Sequence, residues 1–298
     1  MSIVEAEAAQ LNVDRPSGLW VDAWDRFKRN PAALVGIALI VVFIVAAVFA
    51  PQIASFEPNE QAGPLATNPA GPGGDHLLGL DQQGRDVFTR ILFGARLSLL
   101  VGLVSVAVGL AIGLVLGALS GYLGGWVDFA IMRLMDLMLS VPGLLLAIGL
   151  VTIMGRGLFQ IMLVVGIVQV PTFARLLRGA ILGQRESDYV LAARSVGVPG
   201  HRILLGHILP NSIAPVIVQA TLAMATAIIE VAALSFVGLG PADPRLPEWG
   251  KMLAENANRL EQSAHLVIFP GLAIVFSALG INLIGDGLRE AIDPKLKS

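Results

Sequence analysis

The chain has 298 residues, of which 55% are hydrophobic and only 14% are charged, and its mean hydropathy is +0.75. Soluble domains are about a quarter charged, so a chain of this composition cannot cover a soluble surface and belongs in a lipid bilayer. A net charge of −2 argues against a nucleic-acid partner, and the absence of Cys excludes a disulfide framework, a thiol nucleophile and a thiolate metal site. Four scattered His residues show no metal-ligand spacing, so we expect no metal site.

Six apolar segments are long enough to cross a bilayer, which predicts an all-α integral membrane protein with six transmembrane helices. At 1.5 Å per residue, about 20 residues cross a hydrocarbon core about 30 Å thick. The first apolar run is longer than the ~7–15 residues of a signal peptide, so we expect it to be retained. The predicted spans are residues 32–50, 97–119, 130–153, 158–180, 211–237 and 264–284.

The spans divide the chain into four parts. Residues 1–30 are a cytoplasmic N-terminal segment, and its last residues, 20–30, have the composition of a short amphipathic helix on the membrane surface. Residues 31–95 are the first span and an extracytoplasmic loop. Residues 96–290 are the main transmembrane domain, which contains a polar loop at 188–210, and residues 291–298 are a cytoplasmic tail.

The first long loop, residues 51–95, contains Asp81, Arg85 and Asp86. Two carboxylates so close together suggest a cation site. A turn held by local hydrogen bonds is the favoured alternative, because Gly- and Asp-rich segments form such turns readily.

The third span contains two polar residues and a helix breaker. Arg133 and Asp136 lie three residues apart on one helix face, where we expect them to pair. Pro142 and Gly143 are expected to kink this span.

A stripe of small residues recurs every fourth position along the second span, at Ser105, Gly109, Gly113, Gly117 and Gly121. Such a stripe allows the backbone of another helix to approach closely. The neighbour is either a second subunit or another helix of the same chain, and the pattern does not choose between them.

The distribution of positive charge predicts the orientation in the membrane. An even number of spans places both termini on one side, and 13 of the 20 Lys and Arg residues fall on that side. By the positive-inside rule, both termini and the polar loop at 188–210 are cytoplasmic.

This polar loop is expected to fold as two short helices that meet at a bend. Ser187 or Asp188 suits the N-terminal cap of the first helix. Gly197 suits the left-handed residue that ends it, and Pro199 suits the first turn of the second. The alternative is an ordinary connection between two buried helices.

The loop resembles the EAA loop of ABC-importer permeases, in which Glu-Ala-Ala, three residues, Gly, nine residues, Ile, one residue and Leu-Pro follow in order. Two positions depart from that pattern, since Leu191 replaces the Glu and His207 replaces the Ile. The resemblance implies a coupling helix whose slim alanine side docks into a groove on an ATPase subunit. It assigns ATPase coupling to Asp188, Tyr189, Ala192, Ala193, Arg194, Gly197, His207, Leu209 and Pro210.

Further segments resemble one permease subfamily, namely Leu-Gly-Leu-Asp and Gly-Arg-Asp at 78–86, Leu-Ser-Phe-Val-Gly-Leu-Gly at 234–240, Pro-Glu-Trp-Gly at 247–250 and the run 282–294. The chain is thereby similar to the C-type permease subunit of dipeptide, oligopeptide and nickel ABC importers. The resemblance implies the type I importer permease fold in the bacterial inner membrane. It also implies a homologous B-type permease, two cytoplasmic ATPase subunits and an extracytoplasmic substrate-binding protein. Dipeptides, longer peptides, glutathione and nickel chelates all stay open as substrates.

The chain itself is expected to be non-catalytic and to carry no cofactor. It has no Gly-x-x-x-x-Gly-Lys-Ser/Thr phosphate loop, so ATP and Mg are expected on the partner ATPase subunits. A membrane enzyme is disfavoured, because no nucleophile, base or metal ligands cluster in the sequence.

Glu230 is the only carboxylate well inside a predicted span, which makes it a candidate for the substrate path. Because it lies toward one end of the span, a side chain that extends to the membrane interface is the alternative. The rival function is a secondary carrier or channel that works without an ATPase. Such proteins usually need intramembrane ionisable groups or an internal repeat, and we find only Glu230 and the Arg133–Asp136 pair.

Cysteines introduced at Ser195 and Gly73 test the predicted orientation, since the chain has no Cys of its own. Gly73→Cys should react with a membrane-impermeant thiol reagent added to intact cells. Ser195→Cys should react only after the membrane is opened, because the positive-inside rule places it in the cytoplasm. Labelling of both positions from outside would contradict the six-span arrangement.

Overall fold

The structure, a computed structural model, describes residues 19–66 and 68–292, which are mostly helical. Residues 1–18 of the predicted N-terminal segment and residues 293–298 of the predicted tail at 291–298 lie outside this part. A π-helical turn, Leu204–Ile208, joins the short helices Gly200–Ile203 and Leu209–Ser212. In chain order the helices are α1 (Leu19–Phe27), α2 (Pro31–Ile53), α3 (Val87–Leu123), α4 (Gly125–Leu139), α5 (Gly143–Met154), α6 (Leu158–Arg185), α7 (Asp188–Ser195), α8 (Gly200–Ile203), α9 (Leu209–Ser212), α10 (Ala214–Phe236), α11 (Trp249–Asn256) and α12 (His265–Ile292).

Five helices, α2, α3, α6, α10 and α12, are each long and apolar enough to cross a membrane. The third predicted span is two helices, α4 and α5, which meet at 93°. The break falls at Pro142, which lacks a backbone N–H and disfavours a helical conformation at Val141 before it. With the bent pair counted as one span, the all-α fold with six spans is confirmed.

Some helices run past the predicted bounds of their spans. α3 begins at Val87, well before residue 97, because Asp86 caps it and accepts the N–H of Thr89 at 2.8 Å. α2 continues through Pro51 to Ile53. At 37 residues, α3 is about 55 Å long and projects beyond a hydrocarbon core about 30 Å thick.

The stripe of small residues on α3 packs against α6 of the same chain. A Cβ added at Gly109 would lie 2.6 Å from the carbonyl oxygen of Gly166, and one added at Gly117 would lie 2.6 Å from the carbonyl oxygen of Ala174. The two backbones are therefore in direct contact, which only glycine permits at these positions. This contact decides between the two alternatives, because the stripe is already covered within the chain.

Two ion pairs join α4 to α6. Arg178 donates through Nε and Nη2 to the two carboxylate oxygens of Asp128, at 2.5 and 2.6 Å. Asp136 pairs with Arg175, so the predicted pair with Arg133 is wrong. Residues three apart can pair along one helix, but here an arginine from the packed neighbour reaches Asp136 instead.

The turn in the first loop is built around Asp81, whose side chain is 6% exposed. Its Oδ1 accepts the N–H groups of Gln83 and Arg85 at 2.9 Å, and its Oδ2 accepts Nε of Arg85 at 2.7 Å. Asp86 lies 3.0 Å from Nδ1 of His76 while it caps α3. These local hydrogen bonds are the ones expected for a turn. They occupy the carboxylates of Asp81 and Asp86, which had suggested a cation site.

The short helix α1 is two-sided, as expected of an amphipathic helix. Phe27 is buried against Ala33 of α2 and Ala291 of α12. On the other side, Val21 and Trp24 are 56% and 58% exposed. An exposed Trp beside a spanning helix is typical of the membrane–water interface.

Gly166→Ala should destabilise the chain, because the added methyl group would lie 2.6 Å from the carbonyl oxygen of Ser105. Overpacking of this kind costs about 1–3 kcal/mol. Gly179→Ala on the same helix is the matched control, since a Cβ there meets nothing within 4 Å. We expect a lower thermal unfolding temperature in detergent for Gly166→Ala only. Equal unfolding temperatures would show that the α3–α6 contact is not as close as described.

Candidate functional site

The polar loop folds as the predicted pair of short helices, α7 and α8, with Gly197 between them. Gly197 has φ +79°, and its N–H bonds the carbonyl of Arg194 at 3.0 Å. The N–H of Val198 bonds the carbonyl of Ala193 at 3.1 Å. This pair of bonds is the Schellman motif, which needs a left-handed residue after the helix. At the N-terminus of α7, Ser187 occupies the predicted cap position, but its side chain makes no capping hydrogen bond to the helix.

One side of the loop is anchored in the core of the bundle. Val190, Ile203 and Ile208 are 0–1% exposed and belong to the same cluster as residues of α6 and α10. The guanidinium of Arg185, at the end of α6, donates to the carbonyl of Gly121 at the end of α3 at 3.0 Å. The loop is therefore fixed to the two helices that pack most closely in the fold.

The other side of the loop is apolar and uncovered in this chain. Val196 is 80% exposed, Leu191 48% and Tyr189 40%, and Ala192 is exposed beside them. We call these four residues the coupling surface. An uncovered apolar surface next to polar residues is typical of a protein interface.

The structure separates the predicted coupling residues into two groups. Ala193 and Leu209 are half-buried and pack against the core beneath the loop, so they support it rather than face outward. Sequence reasoning missed Val196 and gave Leu191 only as a departure from the EAA pattern. The sequence feature that could have identified Leu191 and Val196 is that each is an apolar residue in an otherwise polar loop. The remaining predicted residues are exposed, namely Asp188, Tyr189, Ala192, Arg194, Gly197, His207 and Pro210.

A cavity of about 220 Å³ lies between the α4–α5 bend, α6 and α10. Glu230 lines it and is half-buried, and its Oε2 is buried with no hydrogen-bond partner among the described residues. The other polar side chains around the cavity are Gln169, Thr172, Gln219 and Thr226. The carboxylate predicted to line a substrate path thus lies in a cavity between these helices that is open on one side, where Leu139, Thr172 and Thr226 are exposed.

The segment 247–250 packs against two spanning helices. Gly250 packs against Ala232 of α10. Trp249 is fully buried, and its indole N–H donates to the carbonyl of Ile91 in α3 at 3.0 Å. α11 is therefore bound to both α3 and α10.

Glu248 caps α11 from a buried position. Its carboxylate accepts the N–H groups of Gly250 and Lys251 at 2.8 Å and the hydroxyl of Ser235 at 3.1 Å. Burial raises the pKa of Glu248 above its ordinary value, although these hydrogen bonds act in the opposite direction. This carboxylate accepts three hydrogen bonds from within the chain, whereas Oε2 of Glu230 accepts none from the described residues.

Two family profiles match the chain. Residues 113–298 match the family described as binding-protein-dependent transport system inner membrane component. Residues 18–72 match the N-terminal TM domain of oligopeptide transport permease C.

Curated relatives cover nearly the whole chain. The dipeptide transport system permease protein DppC of Alkalihalophilus pseudofirmus is 46% identical over 283 residues, which is 94% of this chain and 91% of that protein. The di/tripeptide transport system permease protein DppC of Pseudomonas aeruginosa is 43% identical, over 98% of this chain and 97% of that protein. The glutathione transport system permease protein GsiD of Shigella flexneri is 44% identical, over 93% and 91% respectively.

Among solved structures, the MetNI methionine ABC transporter in an inward-facing conformation matches with a TM-score of 0.57. The match covers 68% of this chain and 96% of the solved chain at 20% identity, so it shows a shared fold. The family profiles and the curated relatives show that the chain belongs to the family of binding-protein-dependent transport system inner membrane components, the multi-pass permeases of ABC importers.

Proposed function

We propose that this chain is the C-type permease subunit of an ABC importer for dipeptides or oligopeptides. The relatives with the highest identity quoted above are permeases of dipeptide, di/tripeptide and glutathione transport. The observation that carries the proposal is the uncovered apolar coupling surface, which lies on a loop fixed to the ends of α3 and α6.

The partners follow from the division of labour in such an importer. A homologous B-type permease completes the path, and an extracytoplasmic binding protein delivers the substrate. Two ATPase subunits bind ATP and Mg²⁺ in the cytoplasm, where both termini of this chain and its coupling surface also lie. The chain contributes no phosphate loop and acts as a non-catalytic transport subunit.

The coupling surface connects to the cavity through α6. α7 follows α6 after only two residues, 186 and 187. α6 holds α4 by the Asp128–Arg178 and Asp136–Arg175 ion pairs, and the α4–α5 bend lines the cavity with Glu230. Closure of the ATPases displaces α7, and this chain of contacts carries the displacement to the wall of the substrate path.

Ala192→Glu tests this function in the assembled importer. The glutamate would place bulk and charge against the ATPase, where an unpaired desolvated charge costs several kcal/mol. Because Ala192 is exposed in this chain, the variant should still insert and fold. We expect peptide uptake and substrate-stimulated ATP hydrolysis to fall by about tenfold or more, with weaker co-purification of the ATPase.

Ala192→Ser is the control at the same position, since it stays small and uncharged. It should retain at least about half of the uptake. Full uptake by Ala192→Glu would mean that the coupling surface does not dock on the ATPase, and the proposed mechanism would be wrong.

A further inference from the structure

We propose that the cavity binds the α-ammonium group of the transported peptide through Gln169 and Glu230. This inference rests on the proposed function, and it names the chemical group that the cavity recognises. Two observations support it: Gln169 and Glu230 each have a buried oxygen without a hydrogen-bond partner, and none of the described residues that line the cavity is cationic.

Both side chains present buried acceptors that lack a donor. Gln169 on α6 is 7% exposed, and its Nε2 donates to the carbonyl of Ala223 on α10 at 3.4 Å. That bond orients the amide. Oε1 of Gln169 and Oε2 of Glu230 are both buried and have no hydrogen-bond partner among the described residues. Buried polar atoms in folded proteins are nearly always hydrogen-bonded. Other described side chains, such as Thr89 and Ser105, also have an unpartnered buried atom, but only these two oxygens belong to residues that line one cavity, and we therefore assign them a ligand that donates.

The charge of the cavity specifies the kind of donor. No Lys, Arg or His is among the residues that line it, and Glu230 is its only ionisable residue. An ammonium group has a positive charge and three N–H donors, so it satisfies both oxygens and neutralises the carboxylate. Ca²⁺ takes about six to eight oxygen ligands, which two side-chain oxygens do not supply.

The cavity is large enough for the ammonium end of a peptide, at about 220 Å³. Dipeptides and longer peptides each have one α-amino group, which is largely protonated to an ammonium group at neutral pH. A site for this group recognises peptides of different length and side-chain composition.

The first experiment measures transport by the whole importer in proteoliposomes. Glu230→Gln and Gln169→Leu should each reduce dipeptide uptake by about tenfold, since each removes an acceptor for a charged donor. ATP hydrolysis stimulated by the peptide-loaded binding protein is measured on the same complexes, so that a loss of uptake is distinguished from a loss of assembly. Glu230→Asp keeps the carboxylate and should recover part of the uptake.

Thr221→Val is the matched control on the same helix. Thr221 does not line the cavity, and its hydroxyl donates to the carbonyl of Val218 at 2.7 Å. Its uptake should stay within about twofold of wild type.

A tethered ammonium group tests the chemistry of the site directly. Thr226 lies four residues before Glu230 on α10, on the same face. Thr226→Lys should therefore place an ammonium group beside the two acceptors, which raises the thermal unfolding temperature above that of Thr226→Met and blocks uptake. In a Glu230→Gln background this increase should disappear.

Three results would overturn the inference, and each is distinct from a failure of the proposed function. They are unchanged uptake in Glu230→Gln, a Thr226→Lys variant that unfolds no higher than Thr226→Met, and loss of the partner permease from purified Glu230→Gln complexes. The last result would show that Glu230 pairs with a cation of that subunit. If the wild-type chain gave no ATP hydrolysis stimulated by the binding protein, the proposed function itself would fail, and this inference with it.

Discussion

The backbone contact between α3 and α6 is the constraint on which the rest of the fold depends. Lipid tails are as apolar as leucine side chains, so helices in a bilayer associate through close packing and polar contacts. Gly109 and Gly117 of α3 and Gly166 of α6 bring the two backbones together. The polar loop follows α6 after two residues, and Gln169 at the cavity lies on α6 itself, so the placement of the loop and of the cavity depends on this contact.

Polar groups within the bundle divide into satisfied and unsatisfied sets. Asp128 holds a bidentate arginine, and Glu248 accepts three hydrogen bonds where it caps α11. Among the side chains of the central cavity, Gln169 and Glu230 are left with unpartnered oxygens. Paired charges stabilise contacts between helices, whereas unpaired acceptors in a low-dielectric interior are costly. This contrast is the basis on which we propose that the cavity binds a ligand.

Much of the fold and the loop could be predicted from the sequence, because each prediction depended on local chemistry. Uncharged runs indicated the spans, and Gly197 between two polar helices indicated the left-handed turn. The identity of the helix that packs against a given helix face could not be predicted in this way. The glycine stripe did not reveal that α6 covers it, and Asp136 did not reveal that Arg175 would outcompete Arg133.

The site was predicted less completely for the same reason. The EAA resemblance pointed to the loop, but only burial shows that Ala193 supports it from beneath while Leu191 and Val196 face outward. Glu230 stood out as a lone intramembrane carboxylate. Gln169 did not, because an uncharged amide in a span becomes informative only when its partners are known.

The most direct measurement is affinity purification of the tagged chain from its native membrane, followed by reconstitution with and without the proteins that accompany it. We expect a second permease and an ATP-hydrolysing subunit to co-purify, and liposomes that contain this chain alone to take up no peptide even with ATP present. Peptide uptake by the isolated chain, driven by an ion gradient without ATP, would contradict the assignment and favour a secondary carrier.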